Sequence, residues 1–342
     1  MTDRRLPAGK LPHDILARLL AEVAPTDPRV LLGPGIGRDA AVLEMGDRVL
    51  VAKADPVTFA TDLIGSYVVN VNANDIACLG ARPRWFMATV LLPEHAPADL
   101  AKRIVRQIHE ACEALGVVLV GGHTEMTVGL GRPLVAGAML GEASRDDIVW
   151  PERAREGDHV HLTKGVAIEG TALLARDAAD ALQAAGVPAP VIGAAARLLF
   201  DPGISVVRDA LTLRRAVPVH ALHDPTEGGL STALYELAES CGHALRVTRL
   251  NDTLLLETKA VCDALGLDPM GLLASGALLA IVPADACRPA AEALRRENIR
   301  SFCLGEVVRG RPAVIMVEPG GESPLRRFDR DELARLFEGL LF

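Results

Sequence analysis

Acidic side chains recur along this chain beside glycine, alanine and asparagine, at points where predicted strands and helices meet. These residues are Asp39, Asp55, Asp75, Asp224 and Glu227. Carboxylate oxygens are the ligands that Mg²⁺ prefers, and phosphate oxygens can complete its octahedral shell. Neighbouring glycines let backbone N–H groups approach phosphates closely, and a helix N-terminus adds a favourable dipole. If the fold gathers these side chains, they form a site for a magnesium-bound phosphate.

Each acidic residue also has a structural interpretation, which is the more frequent one for any single residue. Asp39 can cap a turn, Asp55 can end a strand, and Asp224 can cap a helix for about 1 kcal/mol. Asp75 is harder to explain in this way, because an unpaired charge among apolar helix neighbours is costly. Four histidines are interpreted as polar strand positions rather than metal ligands, namely His159, His161, His220 and His223.

The spacing of apolar residues predicts the elements that carry these side chains. The clearest is a helix over 97–115, where apolar residues recur every three or four positions and Gly116 follows. A helix over 62–79 carries Asp75, and a helix over 229–240 follows the DPTEG segment. Strands and helices mix without strict alternation, so both halves of the chain are predicted to be α+β.

Composition and the absence of common motifs exclude several classes of function. The net charge of −8 argues against non-specific nucleic-acid binding, and no apolar run approaches the roughly 18 residues of a membrane helix. The six cysteines include no CxxC pair, which argues against a zinc knuckle. GxxxxGK[ST] does not occur, which excludes a P-loop protein. No signal peptide is visible, so we predict a cytoplasmic protein with no membrane or nucleic-acid partner.

The order of the glycine- and acid-containing segments resembles one enzyme family. Its members are aminoimidazole-ribonucleotide (AIR) synthetase, selenophosphate synthetase, thiamine-monophosphate kinase and the hydrogenase maturation protein HypE. Five segments carry the resemblance in the family order, which are GRDAAVL at 37–43, ADP at 54–56, NANDIA at 72–77, GGHT at 121–124 and DPTEGGL at 224–230. The resemblance covers residues 33–310, and its DPTEGGL and ASGALLA segments look most like HypE.

The resemblance implies a two-domain, AIR synthase-like α+β fold. The sheets of two N-terminal domains are expected to pair in a homodimer, and the C-terminal domain is expected to be an α/β sandwich. ATP is expected in a cleft between the two domains. The implied units are an N-terminal helical extension, the two domains and a C-terminal tail, spanning 1–32, 33–148, 149–311 and 312–342.

The resemblance also implies which residues bind ATP and Mg²⁺. The implied magnesium ligands are Asp39, Asp55, Asp75 and Asp224. The implied nucleotide contacts are Asp39, Asn74, Gly121, Gly122, Thr124, Glu227 and Gly228. No catalytic residue is assigned.

The chain departs from its relatives at three points. Residue 38 is Arg where many members carry another acid, and residue 123 is His where HypE and the kinase tend to have Asp. HypE acts on a cysteine at its own C-terminus, whereas the last cysteine here is Cys303. Modification of its own terminal thiol is therefore not expected.

We therefore predict a Mg²⁺- and ATP-dependent enzyme that transfers phosphate to an oxygen of a small molecule or of a carboxamide-type group on a partner protein. One alternative is a small-molecule kinase similar to thiamine-monophosphate kinase. An alternative of another class is a nucleotide-binding scaffold without catalytic activity, acting in a maturation complex.

Overall fold

The computed structural model describes residues 11, 13–23, 25–35, 37–58, 60 and 62–340. Residues 1–10, 12 and 24 of the predicted N-terminal extension and residues 341–342 of the predicted C-terminal tail lie outside this part.

The first half of the chain forms one mixed sheet with helices on one face. Its elements are α1 (His13–Glu22), β1 (Val30–Leu32), β2 (Ala41–Met45), β3 (Arg48–Val57), α2 (Ile64–Cys78), β4 (Arg82–Pro93), α3 (Ala98–Leu115), β5 (Val118–Thr127) and β6 (Leu134–Ser144). The strand order is β1-β2-β3-β6-β4-β5, and only β4 and β5 run parallel. The predicted helices over 62–79 and 97–115 are both present, within two residues of the expected ends.

The second half forms a second sheet that is covered by helices. Its elements are β7 (His159–Thr163), α4 (Ile168–Asp177), α5 (Ala179–Ala184), α6 (Ala189–Arg197), α7 (Val207–Ala216), β8 (Ala221–His223), α8 (Gly229–Cys241), β9 (Ala244–Val247), α9 (Leu256–Leu265), β10 (Leu279–Val282), α10 (Cys287–Arg296), β11 (Ser301–Val308), β12 (Ala313–Glu318), β13 (Gly321–Pro324) and α11 (Glu332–Leu340). The strand order is β13-β12-β9-β11-β7-β10-β8. The predicted two-domain α+β architecture is therefore confirmed.

The segment after residue 311 is more closely integrated than the predicted tail implies. Strand β12 pairs in parallel with β9, and β13 pairs with β12 at the edge of the second sheet. Farther on, the hydroxyl of Tyr235 donates a hydrogen bond to the carbonyl oxygen of Leu325 at 2.7 Å. The chain from 313 to 340 is thus part of the packed second half.

Helix α2 lies between the two halves of the chain, and most of its residues are buried, including Asn72, Asn74 and Asp75. One side packs on β3 and β6, and another packs on α7 and β8 of the second half. A Cβ atom at Gly141 of β6 would lie 2.2 Å from Ile76 Cγ2, so the missing side chain allows the close approach of helix and sheet. Packing on several sides buries Asp75 and fixes its position.

Asn74 joins the two halves of the chain. Its amide nitrogen donates to the carbonyl oxygen of Ile204 at 2.9 Å, and its amide oxygen accepts from the N–H of Val206 at 2.8 Å. The side chain is fully buried. It therefore satisfies two backbone groups that water cannot reach at the junction of the domains.

One segment of the described chain is long and apolar enough to cross a membrane, namely residues 189–216. It consists of α6, α7 and a connection in which Asp201 departs from helical geometry. Helix α6 packs on α4 and α9, while α7 packs on α2 and α10. These contacts bury part of the segment, including Ile192, Ala195 and Leu213.

A buried acid at the start of α4 predicts a pH-dependent stability. Burial raises the pKa of Glu169 to about 7 from 4.5, and its Oε2 has no hydrogen-bond partner in the described chain. The folded state thus holds this proton more tightly than the unfolded state. The resulting stabilisation is complete below pH 4.5 and is lost as the pH rises to about 7.

We expect Glu169→Gln to gain stability over the wild type as the pH rises. The gain between pH 4.5 and 8 is on the order of 3 kcal/mol in the free energy of unfolding. Urea unfolding at both pH values measures it. Glu110→Gln, on the exposed face of α3, is the control and should show no such difference. If the free energies of unfolding of Glu169→Gln and the wild type changed equally between the two pH values, the prediction would be wrong.

Candidate functional site

Four carboxylates predicted as metal ligands come from four different elements and face one another between the domains. Asp39 precedes β2, Asp55 lies on β3, and Asp75 lies in the last turn of α2. Asp224 follows β8 and comes from the second half of the chain. We call these four residues the aspartate cluster. Carboxylates that lie far apart along the chain are thus brought together, as the proposed chemistry requires.

Lys53 lies among these carboxylates and was not predicted. Its Nζ is 2.9 Å from Asp75 and 3.5 Å from Asp55. Burial opposes ionisation of the lysine, but the two carboxylates outweigh it and raise the pKa of Lys53 above its ordinary value. Burial and the charges of Asp224 and Asp39 also raise the pKa of Asp75, despite the lowering effect of Lys53. A strongly negative potential at the site explains why acid and base shift in the same direction.

Asp39 is held by a histidine from the other half of the chain. His223 Nδ1 is 2.9 Å from a carboxylate oxygen of Asp39, and its Nε2 is 3.0 Å from Glu236. Burial disfavours the charged ring, but the two carboxylates outweigh it and raise the pKa of His223 well above the ordinary value. The imidazolium therefore orients Asp39 from one side.

Asp224 has an oxygen that no group in the described chain satisfies. The side chain is 1% exposed, and its Oδ1 accepts from the thiol of Cys78 at 3.4 Å. Its Oδ2 is buried and has no hydrogen-bond partner in that part of the chain. Burial and the nearby charge of Asp39 raise the pKa of Asp224 to about 6. A buried carboxylate oxygen without a donor is costly unless a cation is available to it.

The residues at this site fit a divalent cation. The aspartate cluster and Glu236 supply five carboxylates, whereas Lys53 and His223 supply two positive charges. One ligand atom each from Asp39, His223 and Asp224 lies within 4.8 Å of the others. The unsatisfied Oδ2 of Asp224 and the excess of negative charge are features that a hard cation with oxygen ligands would relieve. Asp55, which is 44% exposed at its side chain, lies on the open side of the cluster.

The glycines at 121 and 122, which the resemblance implies as nucleotide contacts, lie within β5. Registered pairing places Asp55, Gly137, Ala88 and Gly122 in one row across the sheet. Three strand spacings therefore separate Asp55 from Gly122, or about 14 Å. A Cβ atom at Gly122 would lie 2.0 Å from the carbonyl oxygen of Ala88, so strand pairing accounts for this glycine. Within one chain, Gly121, Gly122 and Thr124 are thus not brought to the aspartate cluster.

The predicted phosphate-binding turn before α8 already holds a carboxylate. The N–H of Gly228 donates to Asp331 Oδ2 at 2.7 Å, and Asp331 Oδ1 accepts from the N–H of Leu333 at 2.8 Å. Asp331, which precedes α11, is 2% exposed. In this conformation the Gly228 N–H is not available to a phosphate. Glu227 adjoins this turn and is only partly buried.

Three other side chains bind groups outside the aspartate cluster. Both polar atoms of the Asn74 side chain bind the backbone of Ile204 and Val206, which argues against a direct contact of Asn74 with a nucleotide. Arg38 donates to the carbonyl oxygen of Gly33 at 3.3 Å. His123 is exposed on β5, where its Nε2 is 3.1 Å from Glu125.

Two of the residues missed at the site have recognisable signals in the sequence. Lys53 is two positions before Asp55 in a strand, and alternate strand residues share one face. His223 directly precedes Asp224, but its contact with Asp39 spans 184 positions of sequence. Asp331 has no such signal, because it lies more than a hundred residues from Gly228.

Comparisons with known proteins agree with this architecture. The family model for the N-terminal domain of AIR synthase related proteins matches residues 37–143, and the model for the C-terminal domain matches 155–318. The carbamoyl dehydratase HypE of Rhodobacter capsulatus is 32% identical over 308 residues, which cover 84% of this chain and 81% of the relative.

Two solved structures share the fold. A crystal structure of the hydrogenase maturation protein HypE in complex with ATP superposes with a TM-score of 0.71 at 24% identity, covering 93% of this chain and 91% of its own. AaThiL complexed with AMPPCP and TMP superposes with a TM-score of 0.68 at 20% identity, covering 90% and 94%. The two domain models together span most of the chain, and the chain therefore belongs to the AIR synthase-related family.

Proposed function

We propose that this protein is a Mg²⁺-dependent enzyme that transfers the γ-phosphate of ATP to an oxygen atom of a carboxamide-type group, carried by a small molecule or a partner protein. The observation that carries the proposal is the convergence of Asp39, Asp75 and Asp224 from both halves of the chain. The buried Oδ2 of Asp224 has no hydrogen-bond partner in the described part of the chain. The HypE relative, a carbamoyl dehydratase, and the ATP complex of HypE support the assignment.

The four members of the aspartate cluster would hold Mg²⁺. When bound, Mg²⁺ neutralises charge on the phosphates of ATP. His223 keeps Asp39 in place, because its second nitrogen is fixed by Glu236. Lys53 supplies a positive charge on a flexible stem beside the cluster, where phosphate oxygens would lie. Positioning and charge neutralisation of this kind account for most of the catalysis of phosphoryl transfer.

The same phosphoryl transfer to the acceptor leads to different products in a kinase and in a dehydratase. The acceptor oxygen attacks the γ-phosphorus, its bond to phosphorus forms, and the bond to the ADP oxygen breaks. In a kinase similar to thiamine-monophosphate kinase, the phosphate remains on the product. In a dehydratase, the phosphate leaves with the acceptor oxygen, and the carboxamide becomes a nitrile after losing two protons. The fate of the acceptor oxygen therefore separates the two functions.

An experiment with ¹⁸O-labelled carboxamide acceptors tests the proposal. We expect ADP formation that requires Mg²⁺ and stops with EDTA, together with ¹⁸O in the released phosphate. Phosphate retained on the acceptor would favour the kinase. MgATP binding without ADP formation, across carboxamide and alcohol acceptors, would favour the scaffold and contradict an enzymatic function.

We also propose that two copies of the chain associate through the first sheet. The face of this sheet opposite α2 and α3 presents Trp85 and Met87 on β4, and strand β5 at the edge presents Val118 and Val120 at 58% and 52% exposure. An apolar face beside an unpaired edge strand is typical of an interaction surface. The homodimer that the family resemblance implies would cover both this face of the sheet and the edge strand β5.

We expect Val118→Lys to shift the protein from dimer to monomer. A lysine there would place a charge in the proposed interface, where it would have no partner. Light scattering coupled to size-exclusion chromatography at micromolar concentration measures the mass. Val105→Lys, at an exposed valine of α3, is the matched control and should remain dimeric. A monomeric wild type would contradict the proposal.

A further inference from the structure

A second group of metal-binding side chains lies on other strands of the second domain. His159 and His161 alternate on β7, Cys303 of β11 lies opposite His161, and Cys287 is the first residue of α10. One donor atom each from His159, Cys287 and Cys303 lies within 4.8 Å of the other two. Strand β10 separates β7 from β8, the strand that leads to Asp224. The carboxylate site therefore does not include these residues.

The separations match those of a tetrahedral zinc ion. Zn–S bonds of about 2.3 Å and Zn–N bonds of about 2.0 Å at tetrahedral angles place nitrogen about 3.5 Å from sulfur, and two sulfurs about 3.8 Å apart. His159 Nδ1 lies 3.5 Å from Cys303 Sγ. The donor atoms of His159, Cys287 and Cys303 all lie within 4.8 Å of one another. The side chains need little movement to bind one ion together.

His161 lies within hydrogen-bond distance of one of these sulfur atoms. Its Nε2 is 3.2 Å from Cys287 Sγ, and its ring is 2% exposed. Its Nδ1 is buried and has no hydrogen-bond partner in the described chain. Because an orphaned buried N–H is rare, the hydrogen belongs on Nε2, which donates it to the sulfur. A donor of this kind favours the thiolate, the form of cysteine that binds metals, and so opposes the burial that raises the pKa of Cys287 to about 11.

One side of the group is open to solvent. Cys303 is exposed, whereas Cys287 is only partly so. A cleft of about 360 Å³ adjoins it and is lined by His159, Cys303, Arg246, Thr248 and Glu306 among others. An ion held by three side chains would thus keep a fourth position that water or another small ligand can reach.

We propose that His159, Cys287 and Cys303 bind one Zn²⁺ ion per chain, with His161 as a positioning residue and a fourth coordination position open to the cleft. Two thiolates and an imidazole form a donor set that favours zinc over Mg²⁺ or Ca²⁺, which prefer oxygen. The bound ion would also tie β7, β11 and α10 together. This proposal is independent of the phosphoryl-transfer function.

Titration of the reduced, full-length protein with Co²⁺ tests the site. We expect a thiolate-to-cobalt charge-transfer band that saturates at one ion per chain and disappears when Zn²⁺ displaces Co²⁺. In the wild type, Zn²⁺ should also protect Cys303 from alkylation, as measured by mass spectrometry. This second measurement needs no variant, so it holds even if a substitution impairs folding.

Variants assign the ligands. We expect Cys287→Ser, Cys303→Ser and His159→Gln to abolish the band, and His161→Gln to weaken cobalt binding about 10- to 100-fold. Cys262→Ala and His109→Gln, at a cysteine and a histidine outside the group, should leave the band unchanged.

Two results would overturn the proposal. One is a reduced wild type that shows neither a charge-transfer band with Co²⁺ nor protection of Cys303 by Zn²⁺. The other is a band that survives Cys303→Ser.

Discussion

Replacing Asp224 by asparagine is expected to weaken MgATP binding about 30- to 150-fold, which corresponds to about 2–3 kcal/mol for the loss of one charged partner. The same change should not lower the free energy of unfolding. Asp224 is buried among carboxylates and has one unsatisfied oxygen, so its charge opposes folding in the absence of a cation. Asp75→Asn is expected to act in the same direction, because Asp75 faces the same charges.

Isothermal titration with MgATP measures the affinity, and urea unfolding without ligand measures the stability. Asp158→Asn is the matched control, because Asp158 is also buried and lies 2.7 Å from a histidine, His220, outside the aspartate cluster. It should retain MgATP affinity. Unchanged affinity in both Asp224→Asn and Asp75→Asn would remove the aspartates from the binding site.

The effects of Asp224→Asn on MgATP affinity and on the free energy of unfolding together distinguish a binding residue from a structural one. A residue that serves stability loses stability when it is replaced, whereas a residue retained for a ligand lowers the stability of the empty protein. A loss of affinity together with unchanged or increased stability is thus the signature expected of a binding residue at this position.

Asn74→Ala is expected to lower the free energy of unfolding by about 2–4 kcal/mol, because it leaves two buried backbone groups without partners. These are the carbonyl of Ile204 and the N–H of Val206. The MgATP affinity of the folded fraction should remain within about threefold of the wild type, since both polar atoms of Asn74 already serve the domain junction. Chemical unfolding and titration well below the thermal transition measure the two quantities.

Asn70→Ala is the control for this change. Asn70 lies one turn earlier on α2, and its amide donates to the carbonyl oxygen of Ser66 within the same helix. The loss of this hydrogen bond should lower the free energy of unfolding by less than about 1 kcal/mol, because no backbone group of another segment is left unpaired. If Asn74→Ala were as stable as the wild type but failed to bind MgATP, the residue would belong to the nucleotide site, as the family resemblance implies.

Much of this protein was determined by local sequence pattern. Helix α3 follows from apolar residues at helical spacing and a terminal Gly116, and helix periodicity is a local property of the chain. The order of the acidic and glycine-containing segments was sufficient to indicate the family and the two-domain α+β fold, and it predicts that Asp39, Asp75 and Asp224 bind the magnesium-bound nucleotide.

Only the tertiary structure decided which atoms face one another. The contact of His223 with Asp39 and that of Asp331 with Gly228 join residues more than a hundred positions apart. The thiols of Cys287 and Cys303 likewise meet His159 without any CxxC spacing. Helical and strand periodicity show which side of an element is buried. They do not show what lies opposite that side, because the partner is chosen by the packing of the whole chain.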